Sequence, residues 1–345
     1  MESSATKPQS ITAQPISGGS VATVELNYLR SELEERRERL QSALQSPSEN
    51  ASLSFLLTEV DAALARMDDG TYGICEACHD PIEKDRLLAD PLVRICLTEL
   101  SYEEQRALES DLALASRIQK GLLPPTDFAA KGWEIRYHYA PAGVVSGDYC
   151  DLLDSKDGVL FVLGDVSGKG VAASMLMSHL HATFRSLVDT GLPMNRMVEA
   201  ANRVFSGSTL AGQFATLVVG RLSANGSAEI VNAGHLPLLH LRKGEPHLLE
   251  ATGVPLGMFR NAGFDLQRLV IEPGDTLLVC TDGLTEASNI DGEEYGIARV
   301  RKAAAPHYGR GADAILGECL ADWRTFAAGG KQADDMTILT VHRAA

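Results

Sequence analysis

From about residue 130 onward the chain is a succession of short apolar runs, and several stop at the same punctuation: an aspartate beside glycine, threonine or a second aspartate. Val159 to Leu163 runs into Gly164 and Asp165, and TLLVC runs into Thr281, Asp282 and Gly283. Asp334 and Asp335 stand immediately before MTILTVH, and Asp148 lies between an extended run and YCDLL. Runs of this length and composition, bounded by turn residues, read as β-strands. The strand candidates are WEIRYHYA, YCDLL, GVLFVLGD, FATLVVGRL, AEIVNAG, LPLLHLR, DLQRLVIE, DTLLVC and MTILTVH, with RKGE as a turn. Helices are expected at about 171–190, 194–206, 297–305 and 312–327. Consecutive strands with grouped helices predict an α+β domain of antiparallel sheets with helices packed outside.

The acids that end these runs set the chemistry. A buried carboxylate without a partner is costly, so acids converging at strand ends need cations or donors. Hard divalent ions such as Mg²⁺ or Mn²⁺ choose oxygen ligands of this kind. Aspartate is also common wherever a strand gives way to a loop, so each of these residues read alone is equally a turn aspartate. The repetition of one context from Asp148 to Asp334 is what points to a site. The VSGKG loop after Asp165 is not a nucleotide-phosphate loop. That pattern has four residues before its Gly-Lys pair and a hydroxyl residue after it, whereas only three residues lie between Gly164 and Gly168, and Gly170 follows Lys169.

The first hundred residues have a different texture. Residues 1–20 are rich in Ser, Thr, Gln, Gly and Pro and are expected to be a disordered tail. Leu26, Leu29, Leu33 and Leu40 then mark one helix, and Leu53, Leu57, Val60, Leu64 and Met67 a second that stops at Gly70. QSPSENAS breaks them apart, which predicts an antiparallel helical hairpin with one buried seam. A cysteine-bearing segment follows, and Ser101 to Leu123 reads as a linker helix ended by Pro124 and Pro125, either solvated or pairing in a dimer. The expected organisation is therefore a tail at 1–20, a hairpin and cysteine module at 21–100, a linker helix at 101–125 and a large domain at 126–345.

Charge and cysteine usage narrow the classes further. A net charge of −15 argues against a direct nucleic-acid binder, which needs a basic footprint. No run reaches a membrane-spanning length and the first residues lack a secretory apolar stretch, so the expectation is a cytoplasmic protein with no membrane partner. Of the six cysteines, Cys75, Cys78 and Cys96 cluster while Cys150, Cys280 and Cys319 are scattered in apolar surroundings. That usage suits reduced thiols and one metal-like site.

Six motifs, SGDYCD, GDVSGKG, NAGHLPLL, GVPLG, CTDGLTEA and ADDMTILTV, occur in an order that resembles the SpoIIE-type (RsbU-like) serine phosphatases of the metal-dependent PPM group. The resemblance covers roughly residues 110–342. It implies a four-layer α-β-β-α sandwich with two Mn²⁺ or Mg²⁺ ions at the edge of the paired sheets. It also implies hydrolysis of a phosphoserine or phosphothreonine on a small STAS-type anti-anti-sigma protein. Carried across by motif, Asp165 would bridge both ions, Val166 would lend its carbonyl, and Asp282 and Asp334 would complete one ion's acids. Asp148 would be a direct or water-mediated ligand, and Asp335 would support the others from outside. His235 is either a histidine that holds its turn or a general acid, and Lys169 either attracts phosphate or is a solvated loop lysine. Cys150 and Cys280 flank the acids within apolar strands and read as packing residues.

The segment GTYGICEACHDPIEKDRLLADPLVRICLTEL, with the hairpin before it, resembles the DksA/TraR zinc-finger family over about residues 21–105. Cys75, Cys78 and Cys96 fall at three ligand positions, and Glu99 replaces the fourth cysteine, with His79 an alternative donor. A metal-free module held by Tyr72, Ile74, Leu87 and Ile95 is the other reading. Members of that family enter RNA polymerase with acids at the hairpin tip, which implies an alternative function as a polymerase-binding transcription regulator. The tip here has one Glu and no Asp, which favours a sensory or protein-docking role.

Overall fold

The computed structural model describes residues 23–44, 51–156, 158–209, 212–328 and 332–344. The expected tail at 1–20 and most of the QSPSENAS turn lie outside the described residues. The chain divides into two compact units, Met1–Leu108 and Glu109–Ala345.

In the first unit, α1 (Thr23–Leu44) and α2 (Ala51–Asp69) bury the seam that the leucine spacing predicts. Leu29, Leu33, Val60, Leu64 and Met67 are buried, together with Ala63, and the cluster continues into Cys75, Ile82, Leu87 and Cys96. Gly70, at φ +78°, stops α2 in the left-handed conformation that glycine adopts without a Cβ penalty. A short helix, α3 (Lys84–Ala89), supplies Leu87, while Ile74 is more than a third exposed and is no core residue. The helix α4 (Tyr102–Leu122) starts at a capping box. The Glu104 amide donates to Ser101 Oγ at 3.3 Å, and the Ser101 amide donates to the Glu104 carboxylate at 2.9 Å.

The second unit holds eleven strands and five further helices among the described residues. In chain order they are β1 (Asp127–Ala130), β2 (Trp133–Ala140), β3 (Tyr149–Ser155), β4 (Gly158–Val166), α5 (Gly170–Leu187), α6 (Met194–Ser208), β5 (Ala215–Leu222), β6 (Ser227–Ala233), β7 (Leu238–Arg242), β8 (Glu245–Leu249), β9 (Gln267–Val270), β10 (Thr276–Cys280), α7 (Asp282–Thr285), α8 (Gly296–Ala304), α9 (Ala312–Phe326) and β11 (Met336–Arg343). They form a six-stranded sheet, β1-β2-β11-β10-β7-β8, and a five-stranded sheet, β3-β4-β5-β6-β9. Every pairing is antiparallel.

Three apolar clusters bind these layers. One lies between the sheets, with Trp133, Ile135 and Leu339 from one facing Leu152, Phe161 and Val218 from the other. The second packs α5 and α6, through Met177, Phe184, Met197 and Phe205, on the five-stranded sheet. The third packs α8 and α9, through Val300, Ile315 and Cys319, on the six-stranded sheet. Burying one such side chain stabilises by about 1.5–3 kcal/mol, so the paired sheets form a stiff scaffold. The expected α-β-β-α sandwich is the observed architecture. Edge strands β1 and β8, absent from the strand candidates, are closed by Lys131-Gly132 and Lys243-Gly244, each pair at positive φ in a two-residue hairpin turn. Their sequences, DFAA and EPHLL, carry little alternation, and Pro246 is tolerated because β8 is an edge.

Candidate metal centre

Antiparallel pairing explains why distant acids meet. The start of β3 lies beside the end of β4, because Tyr149 pairs Gly164, and the end of β10 lies beside the start of β11, because Cys280 pairs Ile338. Asp148 and Asp165 thus sit at one end of the five-stranded sheet, and Asp282 and Asp334 at one end of the six-stranded sheet. Asp165, Asp282, Asp334 and Glu286 line a single open pocket of about 390 Å³, with Val166, Lys169 and His235.

Asp148 joins the two sheets. Its Oδ2 accepts from Thr281 Oγ1 at 3.0 Å and Thr337 Oγ1 at 2.5 Å, both on the opposite sheet. Its Oδ1 is buried with no hydrogen-bond partner, a position that calls for a cation or a proton. Burial pushes the Asp148 carboxyl well above the usual carboxylate range, with the charges of Asp165 and Asp335 adding to the shift and the two threonines opposing it. Burial, and then the facing Asp282, Asp334 and Asp335, pushes Asp165 up to about 7. Asp282 is raised by burial and by Asp334. These carboxyls resist ionising unless positive charge reaches them, and an all-oxygen donor set with the Val166 carbonyl beside it fits a hard divalent ion.

Asp335 faces the other way. Its Oδ1 accepts from the Ala142 amide at 2.7 Å and its Oδ2 from the Gly147 amide at 2.8 Å, so it ties the loop that carries Asp148 to the start of β11. Gln119 grips the same loop: its side chain donates to the Ser146 carbonyl at 2.6 Å and accepts from the Ser146 amide at 3.0 Å. Sequence reasoning missed Gln119, since it read Ser101 to Leu123 only as a linker helix, either solvated or pairing in a dimer. Leu108 is exposed, whereas Gln119 is buried and Leu122 packs on the core. A glutamine inside an amphipathic pattern was the available signal. Gly283 permits the closest approach: a Cβ there would lie 1.9 Å from the Asp335 carbonyl oxygen.

His235 holds its turn. Its amide donates to Asn232 Oδ1 at 2.8 Å, and its ring bridges Thr216 Oγ1 at 2.8 Å and the Cys280 carbonyl at 3.1 Å. Burial lowers the imidazole to about 4, so the ring is neutral, its Nε2–H donates to Cys280 and its Nδ1 accepts from Thr216. Both ring nitrogens are engaged, which leaves no general acid here. Cys150 and Cys280 are buried, and burial raises both thiols, as packing residues require. Lys169 is more than half exposed, yet its ammonium is paired. Its Nζ lies 2.9 Å from Asp334 Oδ2 and donates to the Ala333 carbonyl at 2.9 Å.

The oxygens of Asp165, Asp282 and Asp334 face one pocket without all falling within 4.8 Å of one another; among the described residues only the sulfurs of Cys75, Cys78 and Cys96 do so. In that knuckle Cys78 Sγ lies 3.4 Å from Cys96 Sγ, and the Cys96 amide donates to Cys75 Sγ at 3.3 Å. Burial opposes the Cys75 thiolate, but the amides of Cys78, Cys96 and Ala77 outweigh it and bring the thiol down to about 7. Three thiolates so placed fit zinc. Glu99 and His79, expected as fourth donors, are not brought into this group. The short turn Leu97–Glu99 presents Thr98 Oγ1 to Cys96 Sγ at 2.9 Å and leaves Glu99 exposed.

Comparison with known proteins places both regions. Residues 155–344 match the family model of Stage II sporulation protein E (SpoIIE), and residues 70–105 match the prokaryotic dksA/traR C4-type zinc finger. Protein IcfG of Synechocystis sp. is 28% identical over 263 residues, which cover 68% of this chain and 41% of that protein. The phosphoserine phosphatase RsbU of Bacillus subtilis is 26% identical over 191 residues, 54% of this chain and 57% of its own. The chain thus spans about half the length of the curated relatives it matches. Among solved structures, the SiaA-PP2C domain of Pseudomonas aeruginosa superposes with a TM-score of 0.60 at 19% identity, covering 69% of this chain and 98% of that domain, which establishes the shared fold.

Proposed function

Because this chain belongs to the SpoIIE family, whose model spans its strands β4 to β11, we propose that it is a metal-dependent phosphoprotein phosphatase acting on phosphoserine or phosphothreonine. The observation that carries the proposal is the convergence of Asp148, Asp165, Asp282 and Asp334 at one end of two packed sheets, with an unpartnered oxygen on Asp148 and Asp165 held near neutrality. Asp165 and the Val166 carbonyl would hold Mn²⁺ or Mg²⁺ between the sheets, with Asp282 and Asp334 from the opposite side and Asp148 behind. Two such ions supply a deprotonated water near neutral pH and offset charge on the phosphoryl oxygens.

The chain's own residues prepare that site. Thr281 and Thr337 aim Asp148, Asp335 and Gln119 pin the loop that carries it, and the His235 bridge fixes the pocket wall. The stiff core excludes water from behind the acids, which strengthens every charge interaction in front.

The finer reading concerns substrate and control. The substrate is a phosphorylated STAS-domain regulator in a partner-switching pathway, a reading supported by the likeness to RsbU. The front module holds Zn²⁺ through Cys75, Cys78 and Cys96 and docks a regulatory protein, and the exposed Leu108, Leu114 and Ile118 of α4 support pairing in a homodimer. A cytoplasmic location agrees with the described helices, none of which is long and apolar enough to cross a membrane. The test is phosphate release from a phosphoserine-bearing STAS protein. Release that needs Mn²⁺ or Mg²⁺ and vanishes in Asp165→Asn supports the assignment, and metal-independent release or none sinks it.

A further inference from the structure

Lys169 is the only cation among the described residues that line the acidic pocket. It stands immediately before α5, between Gly168 at φ +97° and Gly170 at φ +70°, with open space around both glycines. Its ammonium bonds the Asp334 carboxylate and the Ala333 carbonyl, each at 2.9 Å, and faces Asp282 and Asp335 as well. The other Asp334 oxygen accepts from the Asp335 amide at 2.9 Å. One of the carboxylates expected to hold a divalent ion is thus already neutralised by a side chain of the same chain.

We propose that Lys169 is the built-in counter-ion of the acid cluster, a monovalent occupant that a divalent cation must displace from Asp334. Repulsion among converging carboxylates would otherwise strain the cluster, and one ammonium relieves it at Asp334. A divalent ion brings more charge to the same oxygens, so it wins the competition only above a threshold concentration that Lys169 sets. The flanking glycines let the loop carry the ammonium away without moving β4, which pairs β5 up to Val166. The inference rests on the metal-dependent reading above and deepens it.

The test is Mn²⁺ binding by calorimetry to the full chain, with Asp165→Asn assigning the signal to this pocket rather than to the cysteines. Replacing the ammonium in Lys169→Met or Lys169→Gln is expected to tighten Mn²⁺ binding roughly three- to tenfold, since a half-exposed ion pair and its repulsion of the incoming ion are both lost. Lys169→Arg keeps the charge and should bind like the wild type. Without metal, the Met and Gln variants should melt lower than the wild type, and Mn²⁺ should raise their melting temperature by more. Equal or weaker Mn²⁺ binding by both neutral variants, while the wild type binds and Asp165→Asn does not, overturns the counter-ion role and leaves the metal site standing. Absence of Mn²⁺ binding by wild type and variants alike overturns both.

Discussion

The acid pocket and the cysteine knuckle both have donor sets that fit a cation, yet they stand in opposite relations to their scaffolds. The pocket is a passenger: three apolar clusters assemble the sandwich, and the acids sit at its edge against their own repulsion. The knuckle is part of its core, since Cys75 and Cys96 are buried beside Leu87 and Ile82 in the apolar cluster of a small unit. A large scaffold can hold destabilising charges in place for chemistry. A small one uses its ligands to complete the fold.

That contrast can be broken by experiment. Asp165→Asn is expected to lower phosphate release by roughly a thousandfold or more while leaving the melting of the large unit unchanged or higher, because a repelled carboxylate is removed. Circular dichroism beside the phosphatase assay checks it, and a collapsed fold would show that the pocket is structural after all. Cys75→Ser, or chelation of zinc, should do the reverse. The hairpin and knuckle become protease-sensitive and lose most of their stability, on the order of several kcal/mol, while β2 to β11 stay protected in hydrogen exchange. Equal protection of both units under chelation would end the comparison.

Smaller effects sharpen it. Gly283→Ala forces a Cβ into the Asp335 carbonyl and should cost about 1–3 kcal/mol, read as a lower melting temperature together with weaker Mn²⁺ binding. The smallest effect is on pH dependence. Asp165 titrates at about 7 in the fold against 3.8 ordinarily, so between those values the folded state binds more protons than the unfolded one. Its contribution to stability is then fully present below about pH 4 and is lost as pH rises through about 7. Metal-free protein should melt at falling temperature over that window, and Asp165→Asn or saturating Mn²⁺ should flatten the slope.

Much of this was legible before any coordinates. The apolar runs and their acid terminators located β2 to β7 and β9 to β11 to within a few residues, most plainly β4, β7, β10 and β11, whose burial along nearly the whole strand leaves a continuous hydrophobic signal. Edge strands β1 and β8 escaped because a strand exposed at an edge needs no such signal. Gln119 escaped because its value lies in two hydrogen bonds to a backbone 27 residues away, which no local pattern records. Glu99 sits at the spacing of a fourth ligand, but the short turn that carries it points Thr98 at the sulfur instead.

Residue order alone determined which side chains could serve as ligands and which segments would be strands, since composition and periodicity are local properties of a chain. Only the tertiary structure decided which acids face the pocket, which one braces a loop, and that Lys169 lies against Asp334. The physical reason is that charge interactions depend on distance and burial, and both come from how two sheets pack, not from how residues follow one another.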